Sequence, residues 1–239
     1  MLTSPTNLVI LTGAGISADS GVDTYRDAGG LWEGHRFEDV ATPEAWQRDR
    51  AMVWRFYQLR RAQIAAVQPN AAHAAIAKHQ KALSAKGGKL TLVTQNVDDL
   101  HQRVGTETLA MHGELLRLRC ERCGTAMHDR LHFDSETLIP CMECEHAAMR
   151  PDVVWFGEMP YHLEAIETAL QEASAFMAVG TSGAVYPAAG LLAQARQAGI
   201  PTIVQGLAEP DNLHPLDRFV PGRASEVLPD LLRQLVSAS

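Results

Sequence analysis

The sequence predicts an α/β fold: a parallel sheet with helices on both faces, and a smaller zinc-binding module set into it. Three observations carry this. Short apolar runs ending in glycine or polar residues alternate with helix-length segments, the pattern of a buried parallel sheet. The first run, Leu8 to Thr12, stops at Gly13-Ala14-Gly15, which reads as a tight strand-to-helix turn. All four cysteines fall in two tight pairs, Cys120 with Cys123 and Cys141 with Cys144.

Taken in order, the run at Leu8 is a buried strand and a short helix is expected from Ser17. Residues 21–36 hold Gly21, Gly29, Gly30 and Gly34 and read as a loop. Helices are expected at about 43–48, 50–66 and 70–85, followed by a second buried strand, Leu90 to Thr94. The cysteine module takes up roughly 113–150. Val153 to Phe156 reads as a strand, Leu163 to Ala173 as a helix and Ala175 to Val179 as a strand. Ala188 to Gln197 is a helix ended by Gly199; Pro201 to Val204 is a last strand before a helix at about 225–236. The helices at 43–66 and the cysteine module interrupt the alternation. They are expected to form a small domain from two inserts, 37–66 and 113–150, leaving 1–36, 67–112 and 151–239 to the larger domain.

Composition bounds the function. With 239 residues, 46% apolar and 21% charged, the chain has ample core. Its formal charge of −7 argues against nonspecific nucleic-acid binding. No apolar run approaches the roughly 18 residues that span a bilayer, so no membrane partner is expected. The chain opens without a signal peptide and is rich in Ala and Leu, so a cytoplasmic location is expected. A monomer is expected.

A thiolate pair two residues apart can grip one metal ion, and a second pair brought back by a hairpin completes a tetrahedral zinc site. Four cysteines leave no position for water, so the zinc is expected to be structural. The alternative is two disulfides, as in a secreted protein.

Chemistry is therefore sought outside the module. Gly13 to Ala18 fits G-x-G-x-x-A. Glycines there let the backbone approach a pyrophosphate, although many tight turns carry two glycines for no such reason. A dehydrogenase would show an acidic residue ending a second strand about 20 residues on. Glu38 and Asp39 fall near that distance but end no strand, which argues against hydride transfer. Gln95, Asn96 and Asp98 lie just past the carboxyl end of a buried strand, where ligands bind in open α/β sheets. Their amide and carboxylate groups suit ribose hydroxyls and a carboxamide; the alternative is a helix cap by Asp98. His112 could act as a general base near neutral pH or be structural. His73, His79 and His101 are read as structural. Tyr57 and Arg60, three apart, share a helix face, where a guanidinium fork beside a phenol would suit a carboxylate. The alternative is a solvated arginine over a half-buried tyrosine.

Together these segments resemble the sirtuins, NAD-dependent protein-lysine deacylases, over nearly the whole chain. The resemblance is carried by GAGISADSG at 13–21, TYR at 24–26, TQNVDDLH at 94–101, MHGEL at 111–115, the four cysteines, RPDVVWFGE at 150–158 and VGTSGAVYPAA at 179–189. The bacterial class III group, which favours acidic acyl groups, is the most similar. The resemblance implies a Rossmann-type large domain, a small zinc-binding domain and a cleft between them. It implies that the acyl oxygen of a modified lysine attacks the nicotinamide ribose of NAD, nicotinamide leaves, and His112 deprotonates a ribose hydroxyl. Products would be free lysine, nicotinamide and O-acyl-ADP-ribose.

By position, Gly13, Ala14, Gly15, Ser17, Ala18, Thr24 and Tyr25 would line the NAD site, with Arg26 ordering the loop over the reacting ribose. Asn96 and Asp98 would hold the nicotinamide ribose and carboxamide pocket, and Gln95 the ribose. Gly180, Thr181, Ser182, Gln205 and Ala224 would meet the phosphate and adenosine side. The backbones of Val154, Phe156, Gly157 and Glu158, with Val185 and Tyr186 opposite, would clamp the substrate peptide as an added strand. Tyr57 and Arg60 would read succinyl-, malonyl- or glutaryl-lysine, with acetyl-lysine also accepted. The chain departs from the family pattern at Tyr25, usually phenylalanine; at Asp99, usually glycine or asparagine; at Asp152, often histidine; and at Gln205, usually an asparagine gripping the adenosine half. NAD hydrolysis or ADP-ribosyl transfer at the same site, and a catalytically silent NAD-binding regulator, are the competing functions.

Overall fold

The structure is a computed structural model and describes residues 6–22 and 36–237. Its main sheet has six parallel strands: β1 (Asn7–Thr12), β2 (Lys89–Thr94), β3 (Thr108–Ala110), β7 (Ala175–Val179), β8 (Thr202–Gly206) and β9 (Arg218–Pro221), in the order β3-β2-β1-β7-β8-β9. From β1 the chain winds outward to β2 and β3, then returns to the other side of β1 as β7, so the strand order reverses between β1 and β7, where open α/β sheets bind ligands.

Alternation along the strands serves two faces. Leu8, Ile10, Leu92, Met177 and Ile203 pack with α4 (Ala71–Ser84) and α8 (Ala224–Ser237). Val9, Leu11, Val93, Phe176, Ala178 and Val204 pack with α6 (Leu163–Gln171) and α7 (Ala188–Gln197). Burial on both faces explains why these strands are continuous apolar runs.

A second sheet is antiparallel: β4 (Gly113–Cys120) lies between β5 (Ala126–His128) and β6 (Met149–Val153). Against it pack α1 (Phe37–Val40), α2 (Pro43–Arg48) and α3 (Arg50–Ala66). Thr42 caps α2, its hydroxyl accepting from the Ala45 N–H at 3.1 Å, with Pro43 at the first helical position. Asp49 caps α3 through the Met52 N–H at 2.9 Å. Trp46, Trp54, Tyr57, Leu115, Leu118 and Trp155 share one core, so the helical insert and the cysteine module are packed as a unit.

Several elements differ from expectation. The helix expected from Ser17 is two 3₁₀ turns, Ala14–Ile16 and Ala18–Ser20. The strand expected over Val153 to Phe156 ends at Val153, because Met149–Val153 pairs with β4 while Glu158 turns the chain by accepting from the Trp155 N–H at 2.9 Å. The short edge strands β3 and β9 carry no strong apolar run.

The glycine turn is braced from below. Asn70 caps α4 through the Ala72 N–H at 2.9 Å, while its own amide donates to Ile16 O at 2.8 Å and Ser20 Oγ at 3.0 Å. His73 completes the cap, its Nδ1 accepting from the Asn70 N–H at 3.2 Å. Its ring meets His101 at 4.7 Å between centroids, and His101 Nε2 lies 3.3 Å from the Thr12 hydroxyl. Burial pushes the pKa of His73 down to about 4 and that of His101 to about 3, with the His73 ring adding to the lowering of His101.

Both values lie below the unfolded value of about 6.5. The neutral rings therefore contribute stability that is full above that pH and is lost as pH falls toward the folded values. Denaturation midpoints should drop steeply between neutrality and pH 4, by on the order of 2–3 kcal/mol for His73 alone. His73→Gln keeps a side chain that can complete the cap and should flatten that dependence; an unchanged slope would clear His73 of it.

Candidate active site

Three loops meet at the carboxyl ends of β1, β2 and β7. The Gly13 N–H donates to Val179 O at 3.0 Å and the Gly15 N–H to Gly180 O at 2.8 Å. A Cβ on Gly15 would stand 2.8 Å from Gly180 Cα, so this glycine is required by the approach of a neighbouring backbone before any ligand arrives. Ala14 and Ala18 begin the two 3₁₀ turns, and Ser17 between them is fully buried.

The polar run after β2 closes onto this turn. Ser17 Oγ donates to Asp98 Oδ2 at 2.8 Å. The Asn96 amide donates to Gly13 O and to Ser17 Oγ, both at 3.1 Å. Asp98 also accepts from the Leu100 N–H at 3.1 Å, at the start of the next short helix, so it bonds both to that helix and to Ser17. Burial raises the Asp98 pKa, while the Ser17 and Leu100 hydrogen bonds hold it down. Gln95 bridges two strand ends: its amide donates to Thr181 Oγ1 at 3.1 Å and its carbonyl faces His112.

His112 sits where β3 passes into β4. Its Nδ1 is 2.8 Å from Gln95 O, and since a carbonyl only accepts, Nδ1 carries the hydrogen. Nε2 of the neutral ring is then an acceptor. Burial lowers the His112 pKa, partly opposed by the Gln95 carbonyl, so the ring is neutral at pH 7 and suited to take a proton. Gly113 follows with φ +79, and a Cβ there would meet Asp152 O at 2.0 Å; the turn from His112 into β4 demands glycine.

Past the end of β7, Gly180 has φ +59, Thr181 Oγ1 accepts from the Gly183 N–H at 3.3 Å and Ser182 Oγ from the Ala184 N–H at 3.3 Å. Gln205 is buried at the end of β8, and its amide donates to Gly222 O at 2.6 Å. That bond ties β8 to the loop before α8, whose first residue, Ala224, is buried. Thr24, Tyr25 and Arg26 lie outside the described residues.

The residues expected to clamp a peptide lie on two segments without strand pairing. The N–H groups of Val154 and Phe156 are taken by His112 O at 2.9 Å and Ala41 O at 3.0 Å. Gly157 has φ +90, and Phe156, Val185 and Tyr186 are 50%, 40% and 77% exposed. Behind this loop, Glu158 receives both terminal nitrogens of Arg150 at 2.7 and 2.8 Å, and the Arg150 guanidinium lies 3.4 Å over the Trp155 ring.

Tyr57 and Arg60 are both buried. The Trp155 indole N–H donates to the Tyr57 oxygen at 2.9 Å, which leaves the phenol hydrogen to donate elsewhere. Burial pushes the Tyr57 pKa up, so the phenol stays protonated. Arg60 lines a cavity of about 220 Å³ with Gly21, Val22, Gln63, Ile64 and Val67. The solvated-arginine reading of Arg60 is thus excluded by its burial.

The sulfurs of Cys120, Cys123, Cys141 and Cys144 all lie within 4.8 Å of one another, with Cys120–Cys144 and Cys123–Cys141 at 3.6 Å. A tetrahedral Zn–S₄ centre with bonds of about 2.3 Å needs sulfurs roughly 3.8 Å apart, whereas a disulfide needs about 2.05 Å. The set fits one zinc ion and no disulfide.

Residues 13–187 match the Sir2 family model. The chain belongs to the Sir2 family. It is 44% identical to an NAD-dependent protein deacylase of Caulobacter vibrioides, over 95% of this chain and 96% of that one. It is 46% identical to an NAD-dependent protein deacylase of Escherichia coli K12, over 96% of this chain and 82% of that one. Among solved structures, a Sir2 homologue in complex with NAD superposes with a TM-score of 0.87 at 36% identity, covering 98% of this chain and 91% of the other. Sir2Af2 bound to a myristoylated histone peptide gives 0.73 at 31% identity, covering 98% and 92%. The Rossmann-type sheet and the four-cysteine cluster of this Sir2 chain agree with its expected fold class.

Sequence reasoning missed the charges that hold the site's surroundings. Arg61, fully buried, donates to Asp129 Oδ2 and to Asp129 O, both at 2.8 Å, and to Leu115 O at 3.3 Å. Asp152 accepts from the Tyr161 hydroxyl at 2.7 Å and pairs with Arg117 and Arg119, both at 3.2 Å. An Arg61 following Arg60 on a helix carries no signal of burial, and the partners are distant in sequence.

Proposed function

We propose that this Sir2 chain removes acyl groups from protein lysines, consuming NAD. The observation that carries the reading is His112 held by Gln95 with Nε2 as an acceptor, beside the network of Ser17, Asn96 and Asp98. NAD supplies the electrophilic ribose carbon that receives the acyl oxygen. Asn96 and Asp98 orient the nicotinamide ribose and carboxamide, Gly13 to Ala18 and Gly180 to Ser182 face the phosphates and adenosine ribose, and His112 Nε2 takes a ribose hydroxyl proton. Gln205 acts by holding the loop before α8 against β8. Residues 154–158 and 183–186 receive the peptide backbone between them. The zinc ion supplies no chemistry to the reaction; its four thiolates fix the module that carries one wall of the cleft. The larger domain carries the nucleotide site, and the helical insert with the cysteine module carries the acyl pocket.

The acyl group is best read as acidic: succinyl, malonyl or glutaryl, with acetyl also accepted. Arg60 and the Tyr57 hydroxyl are the receptor for its carboxylate. Their burial and the Trp155 bond to the Tyr57 oxygen support this, because a desolvated, oriented pair strengthens a charge-assisted contact. Such a contact is worth about 1.5–3 kcal/mol, or roughly 10–150-fold. Arg60→Met should lower succinyl-lysine kcat/KM by that order and spare acetyl-lysine. Tyr57→Phe should act in the same direction but less, since a neutral bond is lost.

Mass spectrometry of acetyl-, succinyl- and glutaryl-lysine peptides with enzyme and NAD tests both parts. No loss of acyl groups, with NAD still consumed, would favour NAD hydrolysis or ADP-ribosyl transfer. Equal loss of all acyl activities in Arg60→Met would indicate a damaged helix and sink the acidic-pocket reading.

A further inference from the structure

The junction of the two cores holds a buried carboxylate that deacylation does not use. Asp99 follows Asp98 and is 1% exposed. Two arginines face it from different parts of the chain. Arg103, on the short helix α5 (Leu100–Arg103), brings Nη2 to 2.6 Å from Asp99 Oδ1. Its guanidinium also donates to Val67 O at 2.6 Å and Ile64 O at 2.8 Å, at the end of α3. Arg130 pairs with Asp99 Oδ2 from the loop after β5, in the cysteine module. That loop is itself pinned. Asp129 pairs with the buried Arg61, and its Oδ1 accepts the N–H groups of Leu131 at 3.2 Å and His132 at 3.1 Å. Arg130 is therefore presented by a braced turn, although half of its side chain is exposed.

Asp99 thus joins three segments: the loop after β2, the end of α3 and the cysteine module. A buried carboxylate with its cations removed is costly, so these segments hold together through it. Asp98 and Asp99 are adjacent carboxylates, and the Arg103 charge opposes the effect of the Asp99 charge on Asp98. Asp98 is fixed through the Leu100 N–H, and Leu100 lies on the same short helix as Arg103.

We propose that Asp99 is a positioning residue, a latch that fastens the cysteine module through Arg130, and the end of α3 through Arg103, to the Asn96–Asp98 loop and so sets its grip on NAD. This rests on reading that loop as the nicotinamide-ribose site. The latch touches no reacting atom, so its loss should appear in the Michaelis constant for NAD more than in turnover.

The test is a double-mutant cycle on the zinc-loaded enzyme, using Asp99→Asn, Arg130→Met and the pair, with Arg130→Lys as the conservative variant. KM for NAD, kcat on the best acyl peptide and the melting temperature are measured for each. Arg130→Met should raise KM for NAD about fivefold with kcat changed less than about twofold, the pair should be no worse than Asp99→Asn, and Arg130→Lys should recover most of the loss. Additive effects in the cycle, an unchanged KM in Arg130→Met, or a Lys variant as poor as Met would overturn the latch. Asp98→Asn in the same assay reports on the nucleotide reading by itself. If that variant binds NAD like the parent, the site assignment falls and the latch with it. An unchanged Arg130→Met beside a weakened Asp98→Asn removes the latch only.

Discussion

His112→Ala is expected to reduce deacylation by roughly 10²–10⁴-fold, the usual range for a general base, while NAD still binds. The two parts of this expectation come from different contacts. Loss of activity follows from removing the one acceptor, Nε2, that the Gln95 carbonyl holds in a defined tautomer. Retained binding follows because the hydrogen bonds joining Ser17, Asn96 and Asp98 do not pass through the imidazole. pH gives a second handle. The His112 pKa is lowered by burial, so the ring is neutral, and active as a base, above that value. Activity should therefore hold from pH 8 to below the ordinary histidine value of about 6.5 and fall, about tenfold per pH unit, only at lower pH where the buried ring takes a proton. An acid limb centred above that value would contradict the buried, neutral ring. Near-parent turnover of the best acyl peptide by His112→Ala, with titration calorimetry showing normal NAD binding, would remove His112 from the mechanism.

What was legible in the sequence follows from which forces are local. β1, β2 and β7 read as strands because burial on both faces forces unbroken apolar runs such as Leu8 to Leu11. α3 and α4 fall within their expected ranges, and locally Asp49 and Asn70 cap them. β6 was misplaced for the opposite reason. Met149–Val153 contains Arg150, Pro151 and Asp152 yet is wholly buried, because Arg150 finds Glu158 and Trp155, and Asp152 finds Tyr161, Arg117 and Arg119. No periodicity announces a charge whose partner comes from tertiary packing. The site shows the same division. Gly13, Gly15, Asn96 and Asp98 stand out by lying just past strand ends, while Arg103 and Arg130 carry no sign of burial and Asp99, a departure from the family pattern, carries none of its partners. Gln205 was flagged as a departure from the family, but its bond to Gly222 O depends on where the loop before α8 returns.

Removal of zinc should unfold the second core while leaving the six-stranded sheet standing. The module around the cysteines has little regular structure of its own. Between β4 and β6 its only regular element is β5, three residues long, and Leu131 and Met142 are more than 80% exposed. Cys120 and Cys141, by contrast, are buried in the core shared by Trp46, Tyr57, Leu118 and Trp155, so the metal's ligands are also core residues. Structural zinc sites of this ligand type bind with about 10–16 kcal/mol of apparent free energy. A whole domain is stable by only about 5–15 kcal/mol, so the module has no reserve to replace the metal. The larger sheet packs on its own two cores and does not draw on the cysteines. Metal analysis should give one zinc per chain, and Cys141→Ala or a strong chelator should release it. Thermal unfolding should then split, with an early transition for the second core and a later one for the sheet. NAD turnover should fall with the early transition, because the second core carries Tyr57, Arg60 and the segment leading to Phe156. A chain that holds no zinc, or a Cys141→Ala variant with the parent's melting curve, would show that the four thiols are not the metal site that holds this core together.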